Sequence, residues 1–165
     1  AEFKNVSPKE LVACTLKRPR HDKIVKELNS LGVKINFITD GDVSGVISVA
    51  IPKSNIDIYI GTGGAPEGVL AAAALDCLGC QMQTRLVYQD NGQKDKAIGL
   101  GIKDLNKKYN IEDMVKGDVI FCATGITDGD LVKGIKDRGN LFESETFVLH
   151  KSSKINKIMK NQLNK

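Results

Sequence analysis

The chain has 165 residues, 41% of them hydrophobic, and 24 Lys and Arg against 20 Asp and Glu give it a net charge of +4. That length supports one domain with a real core, while so small a basic excess, with five Phe, three Tyr and no Trp, argues against a nucleic-acid partner. No apolar run approaches the roughly 20 residues that span a bilayer, and Ala1 to Asn5 has no signal-peptide core, so a cytoplasmic protein without a membrane partner is expected.

In chain order, Ser7-Pro8-Lys9-Glu10 is a capping box with Pro at the first helical position. Leu11 to Leu16 then reads as a buried strand running into Lys17-Arg18-Pro19-Arg20-His21. Asp22 to Leu31 places Ile24, Val25, Leu28 and Leu31 at helical spacing and stops at Gly32. A cationic cluster is often only a solvated edge. Here it sits at the carboxyl end of a strand, where guanidinium groups that fork onto phosphate oxygens are well placed.

Val33 to Ile38 is the next expected strand, ending in Thr39-Asp40-Gly41-Asp42-Val43. Asp-Gly-Asp at a strand-to-helix junction either caps the following helix, expected over Val43 to Ile51, or offers carboxylates to sugar hydroxyls or a metal. Ile56 to Ile60 forms a strand that meets Gly61-Thr62-Gly63-Gly64-Ala65-Pro66-Glu67-Gly68 and then an alanine-rich helix to Leu78. Glycines that admit close backbone approach, followed by a helix start, make an anion-binding junction. Glu67 in the first helical turn is favoured by the helix dipole, yet beside a phosphate it repels unless a cation lies between them. A metal as well as an anion is therefore indicated.

Further on, Gln81 to Tyr88 reads as a strand, Lys94 to Asn106 as a helix weakened by Gly99 and Gly101, and Val119 to Ala123 as an apolar strand ending in Thr124-Gly125-Ile126-Thr127-Asp128-Gly129-Asp130. Leu141 to His150 alternates and carries Glu143 and Glu145, which points to a strand near an edge. Lys151 to Lys165 has Ile155, Ile158, Met159 and Leu163 at helical spacing and reads as a basic amphipathic terminal helix or tail after a single domain over 1–150. The four cysteines, Cys77-x-x-Cys80 included, read as small buried hydrophobes, with Gly79 as a left-handed helix cap.

Two nucleotide motifs fail on residues. Pro66 stands where a dinucleotide fingerprint needs its third glycine, and Glu67-Gly68-Val69 replaces the Gly-Lys-Ser/Thr of a P-loop. His21 and His150 have no evident nucleophile partner, and a lone histidine of this kind reads as structural.

The segments Arg18-Pro19-Arg20-His21-Asp22, Asp40-Gly41-Asp42-Val43, Gly61-Thr62-Gly63-Gly64-Ala65-Pro66-Glu67-Gly68-Val69, Met82-Gln83-Thr84-Arg85-Leu86 and Ala123 to Leu131 occur together in this order. In order and spacing they resemble the class II, GlpX-type fructose-1,6-bisphosphatases over nearly the whole chain. The resemblance implies an α/β fold, a mostly parallel or mixed sheet flanked by helices as in the C-terminal domain of the inositol-phosphatase and sugar-phosphatase superfamily. It also implies a homo-oligomeric phosphatase, dependent on Mn2+ or Mg2+, that removes the 1-phosphate of fructose 1,6-bisphosphate in gluconeogenesis and, in photosynthetic relatives, acts on sedoheptulose 1,7-bisphosphate.

By resemblance Glu67 is the metal-ligand glutamate, and Arg18, Pro19, Arg20, Asp40, Gly41, Asp42 and Gly64 contact substrate. Family members commonly have Lys where Arg18 stands. No role is implied for Thr124 to Asp130, and no catalytic residue is assigned in this half. The resemblance begins near the middle of the family's sequence, so the N-terminal half that supplies most acidic metal ligands is expected to lie elsewhere. The absence of an initiator Met fits a piece of something longer. One glutamate is a poor site for a hard cation. Two expectations follow: a half that becomes catalytic when joined to the rest, or a non-catalytic sugar-phosphate-binding or assembly module.

Overall fold

β1 (Val12–Leu16), an apolar run with a single threonine, is buried along nearly its whole length, which requires neighbours on both edges and both faces. The computed structural model, which describes all 165 residues, supplies the edges as β2 (Lys34–Ile38) and β3 (Ile58–Tyr59), both parallel to β1. α1 (Asp22–Ser30) and α2 (Asp42–Ile47) are the crossover helices, and α3 (Ala65–Leu78) follows β3. The expected cap is present: Gly79 ends α3 at φ 70°, a left-handed conformation that glycine adopts without strain.

Two antiparallel sheets complete the chain. β4 (Gln83–Arg85) pairs with β5 (Lys108–Asn110), with α4 (Asn91–Gly99) between them and α5 (Ile111–Met114) after. β8 (Leu141–His150) is flanked on one edge by β6 (Ile120–Thr124) and β7 (Lys136–Asp137) and on the other by β9 (Ile155–Asn164). The α/β class expected from sequence holds, with one parallel sheet and separate antiparallel sheets. Ile47, Ala74, Phe121, Phe147 and Leu149 join α2 and α3 to the β6–β8 sheet in one core, while Ala72, Leu75 and Ile111 form a second. No helix is long and apolar enough to cross a membrane.

Several expectations are corrected. The strand over 81–88 contracts to Gln83–Arg85, and the helix expected to Asn106 ends at Gly99, where Gly101 turns the chain with φ 92°. β8 is central, not an edge: Glu143 is neutralised by Arg138 Nε at 2.7 Å, and Glu145 accepts the Lys133 amide at 2.9 Å. Residues 151–165 form a turn and a strand, not a helix or a tail, and β9 pairs with β8 from Leu141 opposite Asn164 to His150 opposite Ile155. Ile155, Met159 and Leu163 are four apart, a spacing that shares one face in a strand as well as in a helix. The open edge of β8 decides between the two, because its backbone groups need partners.

The Thr124 to Asp130 loop closes on itself. Asp128 accepts the Gly134 amide at 2.9 Å and pairs with Lys136 Nζ at 2.7 Å, and Leu131 and Val132 pack on the first core. A methyl group at Gly125 would strike the Lys133 carbonyl, and one at Gly134 the Thr127 backbone. Gly125→Ala is therefore expected to lower stability by about 1–3 kcal/mol, the usual cost of overpacking, readable as a lower urea midpoint.

At the β8–β9 turn, His150 bridges Asp118 (2.8 Å) and Ser153 (2.7 Å). Hydrogen bonds from Ser152 and His150 hold the Asp118 carboxyl down to about 2, against an ordinary 3.8. A carboxyl lowered on folding stabilises above its ordinary value and loses that contribution as pH falls towards 2. The Tm difference between wild type and Asp118→Asn should therefore be present near neutrality and vanish as pH approaches 2.

The accessible surface is 11324 Å2, whereas a folded monomer of this mass exposes about 8,000 Å2. Part of that surface is apolar: Phe37 and Ile58 on the parallel sheet and Val69 and Leu70 on α3 are 44–53% exposed. Parallel sheets are ordinarily covered on both faces. This one lacks part of its cover.

Candidate functional site

Because β1, β2 and β3 are parallel, their carboxyl ends lie along one sheet edge, and the loops that follow them meet there. Three loops converge: Lys17 to Arg20, Thr39 to Gly41, and Ile60 to Gly64.

The first and third loops are tied through Thr62. Arg20 Nε donates to the Thr62 carbonyl at 2.7 Å, which leaves both terminal guanidinium nitrogens without a protein partner on an exposed side chain. His21, fully buried, lies with Nδ1 2.8 Å from the Leu16 carbonyl and Nε2 2.9 Å from the Thr62 amide. The start of α2, directly after the second loop, meets the third at Gly63, where a Cβ would begin 2.9 Å from Asp42 Oδ2; Oδ1 of the same carboxylate accepts the Val43 amide at 2.9 Å.

α3 starts at the third loop. Gly64 is its N-cap and has no side chain to offer, so no cap satisfies the first-turn amides of Ala65 and Glu67. Glu67 folds back over Gly64, where any side chain would collide with its carboxylate. The sheet edge thus joins a free guanidinium fork, an uncapped helix start and two carboxylates, Asp42 and Glu67. Such a set grips an anion with the guanidinium and amides and accepts hydroxyl protons with the carboxylates.

The residues expected at the site separate into two groups. Arg20, Asp42, Gly64 and Glu67 are brought together. Arg18 is half-buried and turns its Nη1 to the Lys17 carbonyl at 3.1 Å, Pro19 opens the turn before α1, Asp40 accepts the Gly41 amide at 2.9 Å, and Gly41 takes the left-handed conformation, φ 75°, that begins α2. These four shape loops in the structure. Nowhere in the chain do three or more His, Cys, Asp or Glu side chains gather as a metal site. All four cysteines are free, and burial raises the thiols of Cys14, Cys77 and Cys80.

Two members of the site escape sequence reasoning. His21 looked partnerless because its partners are backbone groups of Leu16 and Thr62. Tyr59 looked like any strand aromatic, yet room is kept for its ring: a Cβ at Gly61 would lie 3.1 Å from its hydroxyl and one at Gly45 3.0 Å from Cε2. Burial and the nearby Asp42 carboxylate push this phenol up to about 12, with Arg20 opposing. It is a neutral hydrogen-bond donor at any ordinary pH. The glycines at 45 and 61 were its only signal in the sequence.

The family described as bacterial fructose-1,6-bisphosphatase, glpX-encoded, matches residues 1–163. The fructose-1,6-bisphosphatase class 2 of Haemophilus influenzae is 41% identical over 164 residues, covering 90% of this chain and 49% of the relative. A protein of Synechocystis named D-fructose 1,6-bisphosphatase class 2/sedoheptulose 1,7-bisphosphatase is 39% identical, covering 80% of this chain and 42% of the relative. A similarly named protein of Acaryochloris marina is 38% identical, with 90% and 46% covered. The chain spans about half the length of the curated relatives it matches.

Proposed function

Because the chain belongs to the bacterial, glpX-encoded fructose-1,6-bisphosphatase family, we propose that it is the sugar-phosphate-holding half of an enzyme that hydrolyses the 1-phosphate of fructose 1,6-bisphosphate. The observation that carries this reading is the convergence on Thr62 and Gly63: one sheet edge presents Arg20, Asp42, Glu67 and the uncapped start of α3 together. Arg20 grips phosphate oxygens, the Ala65 and Glu67 amides add hydrogen bonds where the helix dipole favours an anion, and Asp42 accepts protons from sugar hydroxyls. Arg18, Pro19, Asp40 and Gly41 shape the loops that present them, and Gly64 leaves the space that a side chain would fill.

The full reaction draws on a divalent cation, Mn2+ or Mg2+. The residues of this chain do not make its site: Glu67 offers one carboxylate where a hard cation takes six or so oxygens. Glu67 is accordingly one ligand of a site completed by the rest of the protein. That remainder covers the apolar surface left open on the parallel sheet and α3, and the working form is a cytoplasmic homo-oligomer.

Isothermal titration of this chain with fructose 1,6-bisphosphate tests the cradle without the rest of the enzyme. Saturable binding, stronger than that of fructose 6-phosphate, is expected; heats no larger than dilution would refute it. The lack of three clustered ligands also favours a second reading, a sugar-phosphate-binding module without catalysis. The two part on whether Glu67 is needed for turnover in the assembled protein.

A further inference from the structure

We infer that His21 is a positioning residue of the sugar-phosphate site: a neutral imidazole protonated on Nδ1, it fastens the turn carrying Arg20 to the loop carrying Thr62 and so sets where the guanidinium points. The inference rests on the proposed sugar-phosphate reading for its functional consequence, but its geometry stands apart from any ligand.

Four contacts surround the ring. Nδ1 is 2.8 Å from the Leu16 carbonyl and 3.4 Å from Thr15 Oγ1; Nε2 is 2.9 Å from the Thr62 amide and 3.2 Å from the Thr62 carbonyl. The Leu16 carbonyl only accepts, so the short contact there requires a proton on Nδ1. The Thr62 amide only donates, so the short contact at the other end requires a bare lone pair on Nε2. The opposite tautomer would set lone pair against lone pair at Leu16 and N–H against N–H at Thr62, keeping only the two longer contacts. An imidazolium would repair the first clash and retain the second. The Thr62 carbonyl needs nothing from His21, because Arg20 Nε already holds it at 2.7 Å.

One residue, Thr62, is therefore gripped through both of its flanking peptides from the same turn, the N–H of the Gly61–Thr62 amide by His21 and the C=O of the Thr62–Gly63 amide by the adjacent Arg20. The Arg20 Nε bond fixes the plane of the guanidinium, and the His21 bond anchors the preceding peptide, so the Thr62 residue whose carbonyl Arg20 grips is held from its other side. His21 is 0% exposed and touches no solvent or ligand surface, so its influence on an anion passes through Arg20 and the third loop.

Side-chain 1H–15N correlation spectra of the wild-type chain are the direct test: a protonated Nδ1 with an acceptor-type Nε2 is expected, and a protonated Nε2 would overturn the inference. Two variants separate positioning from bulk stability. His21→Gln carries its amide near the Nε2 position and keeps a Thr62 partner, whereas His21→Asn carries it near Nδ1 and keeps only Leu16. Both leave a similar gap and should lower Tm similarly, but fructose 1,6-bisphosphate affinity should fall roughly 10-fold in His21→Asn and largely recover in His21→Gln. In an Arg20→Ala background the His21→Asn loss should disappear, since it acts through Arg20. Equal losses in the two variants, or additive losses in the double variant, would overturn the positioning role. If the wild-type chain shows the expected tautomer but binds no fructose 1,6-bisphosphate, the sugar-phosphate reading fails and the clasp geometry survives.

Discussion

Arg20→Ala is expected to weaken fructose 1,6-bisphosphate binding to this chain by roughly 10- to 100-fold, the worth of one or two charge-assisted hydrogen bonds. Titration calorimetry at two salt concentrations reads it directly. The variant loses the free guanidinium fork and also the Nε bond that holds the Thr62 carbonyl. Arg20→Lys should recover little, because an ammonium offers a point charge but no Nε to grip Thr62 while two further nitrogens face the ligand. Arg18→Ala is the internal control: its guanidinium turns to the Lys17 carbonyl, so a much smaller loss is expected. Equal losses at 18 and 20 would mean that phosphate is held by diffuse positive charge, and the geometry assigned to the three loops would be wrong.

Phosphate release from fructose 1,6-bisphosphate in the presence of Mn2+ should be absent for this chain alone and appear when a separately expressed N-terminal half of a close relative is added. The expectation follows from a site that gathers only two carboxylates, Asp42 and Glu67, with no cluster of three ligands, and from the apolar surface exposed on Phe37, Ile58, Val69 and Leu70. In the assembled protein, Glu67→Gln should reduce turnover by more than the roughly 100-fold that losing an outer partner of a metal ligand costs. The substitution keeps side-chain volume over Gly64, so fructose 1,6-bisphosphate affinity of the chain alone should hold or improve as a like charge is removed. Turnover by the isolated chain would show that carboxylates such as Asp40, Asp42 and Asp128 build a site the structure does not display. A full rate in Glu67→Gln would move the assignment to the non-catalytic module.

Much of the parallel layer was legible from residues alone. Apolar runs bounded by Gly and Pro placed β1, β2 and α1 within a residue or two, and the Gly64-Ala65-Pro66 start and Gly79 stop bounded α3. These are local signals, set by backbone sterics and side-chain period. The C-terminal sheet was legible in part. Leu141 to His150 was placed by its alternation, but β9 was not, because residues four apart share a face in either structure.

Arg20, Asp42, Gly64 and Glu67 could be gathered as site candidates because each ends a strand or starts a helix, and parallel strands bring those ends together. The sequence by itself determined the α/β class, the chemistry of the three loops, the resemblance to a bisphosphatase family and the shortage of metal ligands. Only the tertiary structure decided that Arg20 Nε meets the Thr62 carbonyl and leaves its terminal nitrogens free, that Tyr59 and His21 belong to the candidate site, and that 155–164 closes a sheet. The reason is one of range: local sequence sets backbone preference and the supply of polar groups, but which carbonyl or amide lies opposite a side chain is set by strands far apart in the chain. His21 shows it most plainly, since Thr62, whose amide it holds, comes from a strand end 41 residues away.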